Sequence, residues 1–256
     1  FEQEFANFCG TKFAIGVGSC SDALSFSMIA LDIGKGDEVI IPGNSFIATA
    51  WTVANVRATP VFVDVLDDYN IDPQMIKKAI TKKTKAIIPV HLTGRMADMD
   101  KIIQIANENN LYVIEDAAQA VGASLNNKKS GSFGKTGCFS LHPLKNLHVQ
   151  GDGGIITTND NTIYYFIKKL RNHGLRNRDE CEFWGYNSRL DNIQAAIARI
   201  KLQYIDEWNK RFIEIANIYS EELGQVSLVP KEDPKKISIY HRYVIQHLSR
   251  DKLKDY

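Results

Sequence analysis

The chain has 256 residues, 44% of them apolar, enough to bury a large core and more than the roughly 100–200 residues of an ordinary domain, so one large domain and part of a second is the expectation. Lys and Arg number 31 against 30 Asp and Glu, leaving a net charge of +1; no global field draws the chain to nucleic acid or to an anionic membrane, and any anion must be held by a local arrangement. No apolar run approaches the roughly 20 residues that cross a bilayer, and the opening FEQEFANFCG has no signal-peptide form, so a soluble protein is expected. Cys9, Cys20, Cys138 and Cys181 are widely spaced without a C-x-x-C pair. Reduced thiols in the cytoplasm fit this better than a disulfide framework, and no metal site is expected.

Short β-branched runs recur about every 25 residues: FAIGV from Phe13, EVII from Glu38, VFVDV from Val61, AIIPV from Ala86 and YVIED from Tyr112. That is the beat of one βα unit each. Between them, Asp22 to Ile33 has apolar residues at helical spacing behind a Ser-Asp start. Asp72 and Pro73 place an N-cap before a first-turn proline for PQMIKKAI, and Met99 to Ala106 repeats the i, i+3, i+4 spacing. GCFSL from Gly137 and GIITT from Gly154 bring the expected strands to seven; no full helix separates them, and both are expected to break the pattern. The predicted architecture is α/β, a mostly parallel seven-stranded sheet with helices on both faces. From Leu190 the chain turns helical for a long stretch, Gly224 to Pro234 reads as loop, and IYHRYVIQHL as a new strand. A boundary near Asp206 to Arg211 is expected to divide a large domain (1–208) from the beginning of a smaller α+β domain (209–256).

Three places carry candidate chemistry. Gly16-Val17-Gly18-Ser19-Cys20-Ser21 follows a strand and opens a helix, where backbone amides and a hydroxyl can hold a phosphate; as a dinucleotide fingerprint it lacks its third glycine, and a capped tight turn is the alternative. Glu115-Asp116 ends an apolar strand, the position that faces the ligand crevice of an open α/β sheet, though Asp116 could equally cap the AAQA turn. Lys145 follows a strand in a loop held by Pro143, flanked by Ser140 and His142 and followed by Gly151-Asp152-Gly153-Gly154. A lysine, an aspartate and a hydroxyl-lined phosphate cup are the parts pyridoxal phosphate (PLP) requires. Gly134-Lys135-Thr136 ends like a P-loop, but Lys129 stands where the leading glycine belongs. The basic stretch Lys168, Lys169, Arg171, His173, Arg176 and Arg178 reads as a solvated helix face, with pairing to a substrate diphosphate as the functional alternative and nucleic acid the weakest.

Read in order, GVGSCSDAL (Gly16 to Leu24), GDEVIIPGNSFIATA (Gly36 to Ala50), PVFVDV (Pro60 to Val65), KTKAIIPVHLTG (Lys83 to Gly94), IEDAAQAVGA (Ile114 to Ala123), GCFSLHPLKNL with its following GDGG (Gly137 to Gly154), LRNHG (Leu170 to Gly174) and GYNSRLDNIQAAI (Gly185 to Ile197) resemble the DegT/DnrJ/EryC1/StrS family. The resemblance implies the fold-type I architecture of PLP-dependent aminotransferases that act on nucleotide-linked keto-sugars, with L-glutamate as the usual amino donor; a cyclitol is the alternative acceptor. By the same resemblance Lys145 is the Schiff-base lysine and proton shuttle, Asp116 the partner of the pyridine nitrogen, Gln119 a contact to the ring hydroxyl and Phe46 the aromatic stacked on the ring. Ser21 and Ser140 are hydroxyl ligands of the phosphate, with the Cys20 amide beside them. Asn187 reaches the phosphate from the other subunit, which implies a homodimer with a shared active site. His142 and His241 are implied near the substrate, and His91 and Gly94 match the pattern without a derivable role.

Where the family has Ser-Gly-Thr this chain has Ser19-Cys20-Ser21, and Leu141 replaces an aromatic residue. The resemblance further implies that the chain is an interior piece, with a segment ahead of FEQEF and more of the small domain after RDKLKDY. Two alternatives stand beside transamination: a sugar dehydratase on the same scaffold, whose members replace the lysine with histidine, and a non-catalytic PLP-binding regulatory homologue. A nicotinamide enzyme using Gly16 to Ser21 leaves Lys145 unexplained.

Overall fold

A computed structural model describes residues 1–256. Helix α1 (Glu2–Cys9) precedes β1 (Phe13–Val17), α2 (Cys20–Ala30), β2 (Glu38–Pro42), α3 (Ile47–Asn55), β3 (Thr59–Val63), α4 (Pro73–Ala79), β4 (Thr84–Ile87), α5 (Met99–Glu108) and β5 (Tyr112–Asp116). The short strands β6 (Ser124–Leu125) and β7 (Lys128–Lys129) follow, then β8 (Thr136–Ser140), β9 (Gly154–Thr158), α6 (Asn161–Leu170), α7 (Asn192–Leu202), α8 (Ile205–Leu223), β10 (Lys236–Ile237) and α9 (Arg250–Asp255). The main sheet has seven strands in the order β1-β9-β8-β5-β4-β2-β3, and β10-β6-β7 form a small antiparallel sheet. No helix is long and apolar enough to cross a membrane.

The expectation that the last two main strands both reverse is corrected. β8 runs parallel to β5, and only β9 is antiparallel, pairing β8 on one side and β1 on the other. The Ser124 to Lys129 hairpin and the following loop take the chain back to the starting edge without a crossover helix, so β8 keeps its direction. The chain from Ser140 to Gly154 then turns once at the opposite edge. The expected strand IYHRYVIQHL forms no ladder either. Its backbone bonds go instead to a turn, Ile239 N–H to Gly94 O at 2.9 Å and Arg242 N–H to Thr93 O at 3.4 Å, with a single bridge between Leu228 and Gln246. The long helical region is interrupted at Gln203-Tyr204, between α7 and α8.

Side-chain alternation along the strands feeds two separate cores, one on each face of the sheet. Ile40, Ile87, Val113, Phe139 and Ile155 join one cluster with α1, α4, α5 and α7; Val39, Ile41, Ile88, Ile114, Cys138 and Ile156 join the other with α2, α3 and α6. Each fully buried Ile or Phe contributes about 1.5–3 kcal/mol. Helix α1 is short, ends at Gly10 in the left-handed region (φ 72°), and is fixed mainly by Phe5, whose ring meets Phe139 of β8 edge-on at 5.0 Å between centroids. The carboxyl ends of β1, β5 and β8 and the start of β9 therefore open onto one edge of the sheet.

Candidate active site

At that edge the chain leaves β1 through Gly18 and enters α2. The turn is tied by its own polar groups: Ser19 Oγ accepts from Asp22 N at 3.0 Å, and Gly18 N donates to Ser188 Oγ at 2.9 Å, whose hydroxyl donates to Asp22 Oδ2 at 2.8 Å. Ser19 is thus spent as the helix cap. The amides of Cys20 and Ser21, being first in the helix, have no intrahelical acceptor, and the Ser21 hydroxyl is not engaged in a cap. Gly154 explains how β9 comes so close: a Cβ there would lie 2.3 Å from Ser19 C and O and 2.7 Å from Cys20 N. Gly154 is also the register partner of Ser140, so the Ser140 hydroxyl and the first turn of α2 share one end of the sheet. Cysteine in place of the family's glycine at position 20 leaves this backbone approach intact, because the contact falls on Gly154.

Adjacent residues at the end of β5 point to opposite faces. Glu115, fully buried, accepts from Gly131 N (2.8 Å), Phe133 N (2.7 Å) and Gly134 N (2.8 Å) and pairs with His91 Nε2 at 3.0 Å. His91 Nδ1 in turn accepts Ala97 N at 3.2 Å, which makes Nε2 the protonated nitrogen of a neutral ring. Glu115 and His91 therefore order the 130–134 loop and the turn after β4. Asp116 instead faces the side of the sheet that carries α3. Its Oδ2 accepts the Thr49 hydroxyl at 2.8 Å, and its Oδ1 the Ala118 amide at 3.2 Å, so it caps the following turn and meets α3 at once. Burial pushes the Asp116 carboxyl up from its ordinary value, while the Thr49 hydroxyl, the Ala118 amide and the Lys145 charge pull it back.

Lys145 sits half-buried in the loop after β8, its N–H bonded to His142 O at 2.9 Å. Burial holds its ammonium below the ordinary lysine value; the neighbouring Cys20 and Asp116 act against this, and Arg242 with it. The Cys20 thiol is pushed well up, by burial first and then by Asp116. Cys20, Asp116 and Lys145 thus lie within electrostatic reach of one another. Beside it, a cavity of 390 Å³ is lined by Leu144, Lys145, Asn146, Tyr240 and His241 among others. Gly94, at φ 88°, admits this segment: a Cβ there would meet His241 N and Ile239 at 2.9 Å.

The remaining expected residues fall into two groups. Gln119 Oε1 accepts Thr93 N at 2.8 Å, which leaves its amide nitrogen as the available donor. Ser140 is buried and accepts His142 N at 3.3 Å. Phe46, the residue before α3, is 73% exposed, which excludes a core role. His142 is exposed and caps its own loop through Leu144 N. Asn187 is exposed, bridged to Asn172 and accepting from Arg189, with no contact to the Lys145 group of its own chain. Three residues of the basic stretch are paired: Lys169 with Glu182 at 2.6 Å, Arg171 with Glu2 at 2.6 Å, and Arg176 with Glu180 at 3.7 Å. Thr49, Ser188 and Asp22 were not singled out from sequence. Thr49 lies one helical turn past Phe46, which is the signal that could have marked it.

Comparison with known proteins agrees with this geometry. The chain is 45% identical to the dTDP-3-amino-3,6-dideoxy-alpha-D-galactopyranose transaminase of Aneurinibacillus thermoaerophilus over 258 aligned residues, covering 100% of this chain and 71% of that protein. Its fold superposes on DesV from S. venezuelae, solved in complex with a ketimine intermediate, with a TM-score of 0.97 and 40% identity, covering 99% of this chain and 69% of that one. NtdA of Bacillus subtilis, solved with bound cofactor PMP, superposes with a TM-score of 0.92 at 31% identity, covering 99% and 59%. The model of the DegT/DnrJ/EryC1/StrS aminotransferase family matches residues 1–255, and the chain belongs to that family.

Proposed function

We propose that this chain is the cofactor-binding part of a PLP-dependent aminotransferase that moves an amino group, from L-glutamate, onto a nucleotide-linked keto-sugar. The observation that carries this reading is that Lys145 and Asp116 lie within electrostatic reach of each other at the end of the sheet where Gly154 packs against the unpaired first amides of α2. The residues fit the cofactor: the Gly154 contact shapes a cup at Cys20 and Ser21, and Asp116 presents a buried carboxylate. When bound, PLP supplies a carbonyl that captures amines and an electron sink that acidifies the adjoining carbon.

The residues divide the remaining work. The Cys20 and Ser21 amides, at the positive end of α2, with the Ser21 and Ser140 hydroxyls, would hold the phosphate. Asp116, whose carboxyl accepts from Thr49 and Ala118, would partner the ring nitrogen; Gln119 would offer its amide N–H to the ring oxygen; Phe46 would cover the ring. Lys145, whose ammonium is held below the ordinary lysine value by burial, would bind the carbonyl of the cofactor and hold or release a proton at its Nζ. Asn187 serves the partner subunit of a homodimer, a role that suits its exposure and lack of contact with its own site. Exposed Ile47, Trp51 and Trp184 supply apolar surface for that assembly. Residues 1–208 form the cofactor domain and 209–256 belong to a smaller one. The four free cysteines support a cytoplasmic location.

Lys145 stands where a dehydratase would carry histidine, which favours transamination. The test is spectroscopic. Purified protein loaded with PLP is expected to absorb in the visible, to bleach with glutamate and to recover with a dTDP- or UDP-linked keto-hexose. Lys145→Ala is expected to abolish this absorbance and lower turnover at least about a thousand-fold. Absorbance unchanged in Lys145→Ala would sink the proposal.

A further inference from the structure

A chain of amides, buried at Asn209 and half-buried at Asn146, runs from the turn after β5 to the wall of the 390 Å³ cavity beside Lys145. Asn209, on α8 and 4% exposed, donates Nδ2 to Val121 O at 2.9 Å; Asn146, next to Lys145, donates Nδ2 to Asn209 Oδ1 at 3.3 Å; and His241 Nδ1 lies 3.1 Å from Asn146 Oδ1. The polarity of the whole chain follows from its first member. A backbone carbonyl only accepts, so Asn209 must turn its nitrogen toward Val121 and its oxygen toward Asn146. Asn146 must then turn its own nitrogen toward Asn209 and its oxygen toward His241. Only a donor satisfies that oxygen, so the His241 proton sits on Nδ1. Asn209 itself has little freedom, because its amide already fills the space above Gly122, where a Cβ would come within 2.5 Å of Nδ2.

The other ring nitrogen, Nε2, has no partner within the protein and is not sealed from solvent. His241 lines the 390 Å³ cavity together with Lys145. We propose that Asn209 and Asn146 are positioning residues that fix His241 as a hydrogen-bond acceptor through Nε2, and that its partner is a hydroxyl of the keto-sugar next to the reacting carbon. This rests on the aminotransferase reading above and assigns the ring's role within it. Burial, and the nearby positive charges of Lys145 and Arg242, push His241 down to about 4, so the ring stays neutral at physiological pH and the lone pair is available.

Two measurements test it on the PLP-loaded protein. Imidazole nitrogen NMR, with the His241 signal identified by its loss in His241→Gln, is expected to show the Nδ1-protonated neutral ring. In Asn209→Ala the ring is expected to return to mixed tautomers with cofactor absorbance retained. An Nε2-protonated His241 in the native protein overturns the proposal. In half-reaction kinetics, His241→Phe is expected to raise KM for a dTDP- or UDP-linked 3-keto-hexose about tenfold, the value of one hydrogen bond, with the glutamate half-reaction within about twofold. His241→Gln, which keeps an acceptor, is expected to recover part of the loss. Loss confined to the glutamate half-reaction overturns the assignment to the sugar. The tautomer is read without turnover, so a protein that loads PLP yet aminates no sugar refutes the functional reading and leaves the NMR result to decide the positioning claim.

Discussion

The two faces of the sheet at the carboxyl end of β5 carry one acid each, Glu115 on one and Asp116 on the other, both removed from solvent. Glu115 accepts three backbone amides and a histidine, which fills its acceptor capacity with groups of its own fold. Asp116 accepts one hydroxyl and one amide and retains acceptor capacity. Burial alone therefore says little about function. What separates the two acids is how far the protein has already satisfied each of them.

Removing each acid should break the comparison in opposite ways. Glu115→Ala strands His91 and three loop amides, and is expected to cost about 3–5 kcal/mol of stability by urea unfolding, with little change in rate per cofactor-loaded molecule. Asp116→Ala is expected to leave unfolding nearly unchanged and to lower kcat about 100- to 1,000-fold. If both variants lost stability alike, the distinction would fail. Next in size, Gly154→Ala drives a methyl into Ser19 and is expected to cost about 1–3 kcal/mol and to weaken PLP binding, read by equilibrium dialysis. Thr49→Val removes the hydroxyl that steadies the Asp116 carboxylate. Its carboxyl should rise further from the ordinary value, and PLP affinity should fall by about 1 kcal/mol, with Thr49→Ser restoring it.

The smallest expected effect is a pH dependence. His241 is held at about 4 in the fold against 6.5 for an ordinary histidine. Across that interval the unfolded chain takes up a proton that the folded chain refuses, so this contribution is fully present above 6.5 and is lost as pH falls toward 4. Urea midpoints at about pH 7 and about pH 5 should therefore differ less for His241→Gln than for the native protein.

Much of the sheet was legible in the chain. FAIGV, YVIED and GIITT are β1, β5 and β9 to the residue, because near-continuous β-branched runs bounded by turn residues describe strands buried on both faces. VFVDV is displaced: β3 begins at Thr59, whose N–H bonds Asp37 O, since pairing with β2 sets its ends and apolar content does not. Helix α1 spans only 8 residues, too few for periodicity to mark. Phe46 by residue type alone belongs in a core, yet it is exposed. Within the basic stretch, Arg171 could not be matched to a partner from the chain alone, because Glu2 lies 169 residues away.

The sequence by itself determined the α/β class, the order of the strands along the chain and the residue types a PLP site requires, because strand and helix periods and turn chemistry are local properties. Tertiary structure alone decided that β8 stays parallel while β9 reverses, that Glu115 is consumed while Asp116 is left open, and that Asn209 and Asn146 reach His241. Each of these depends on which groups from distant parts of the chain meet and satisfy one another, and local pattern does not record that.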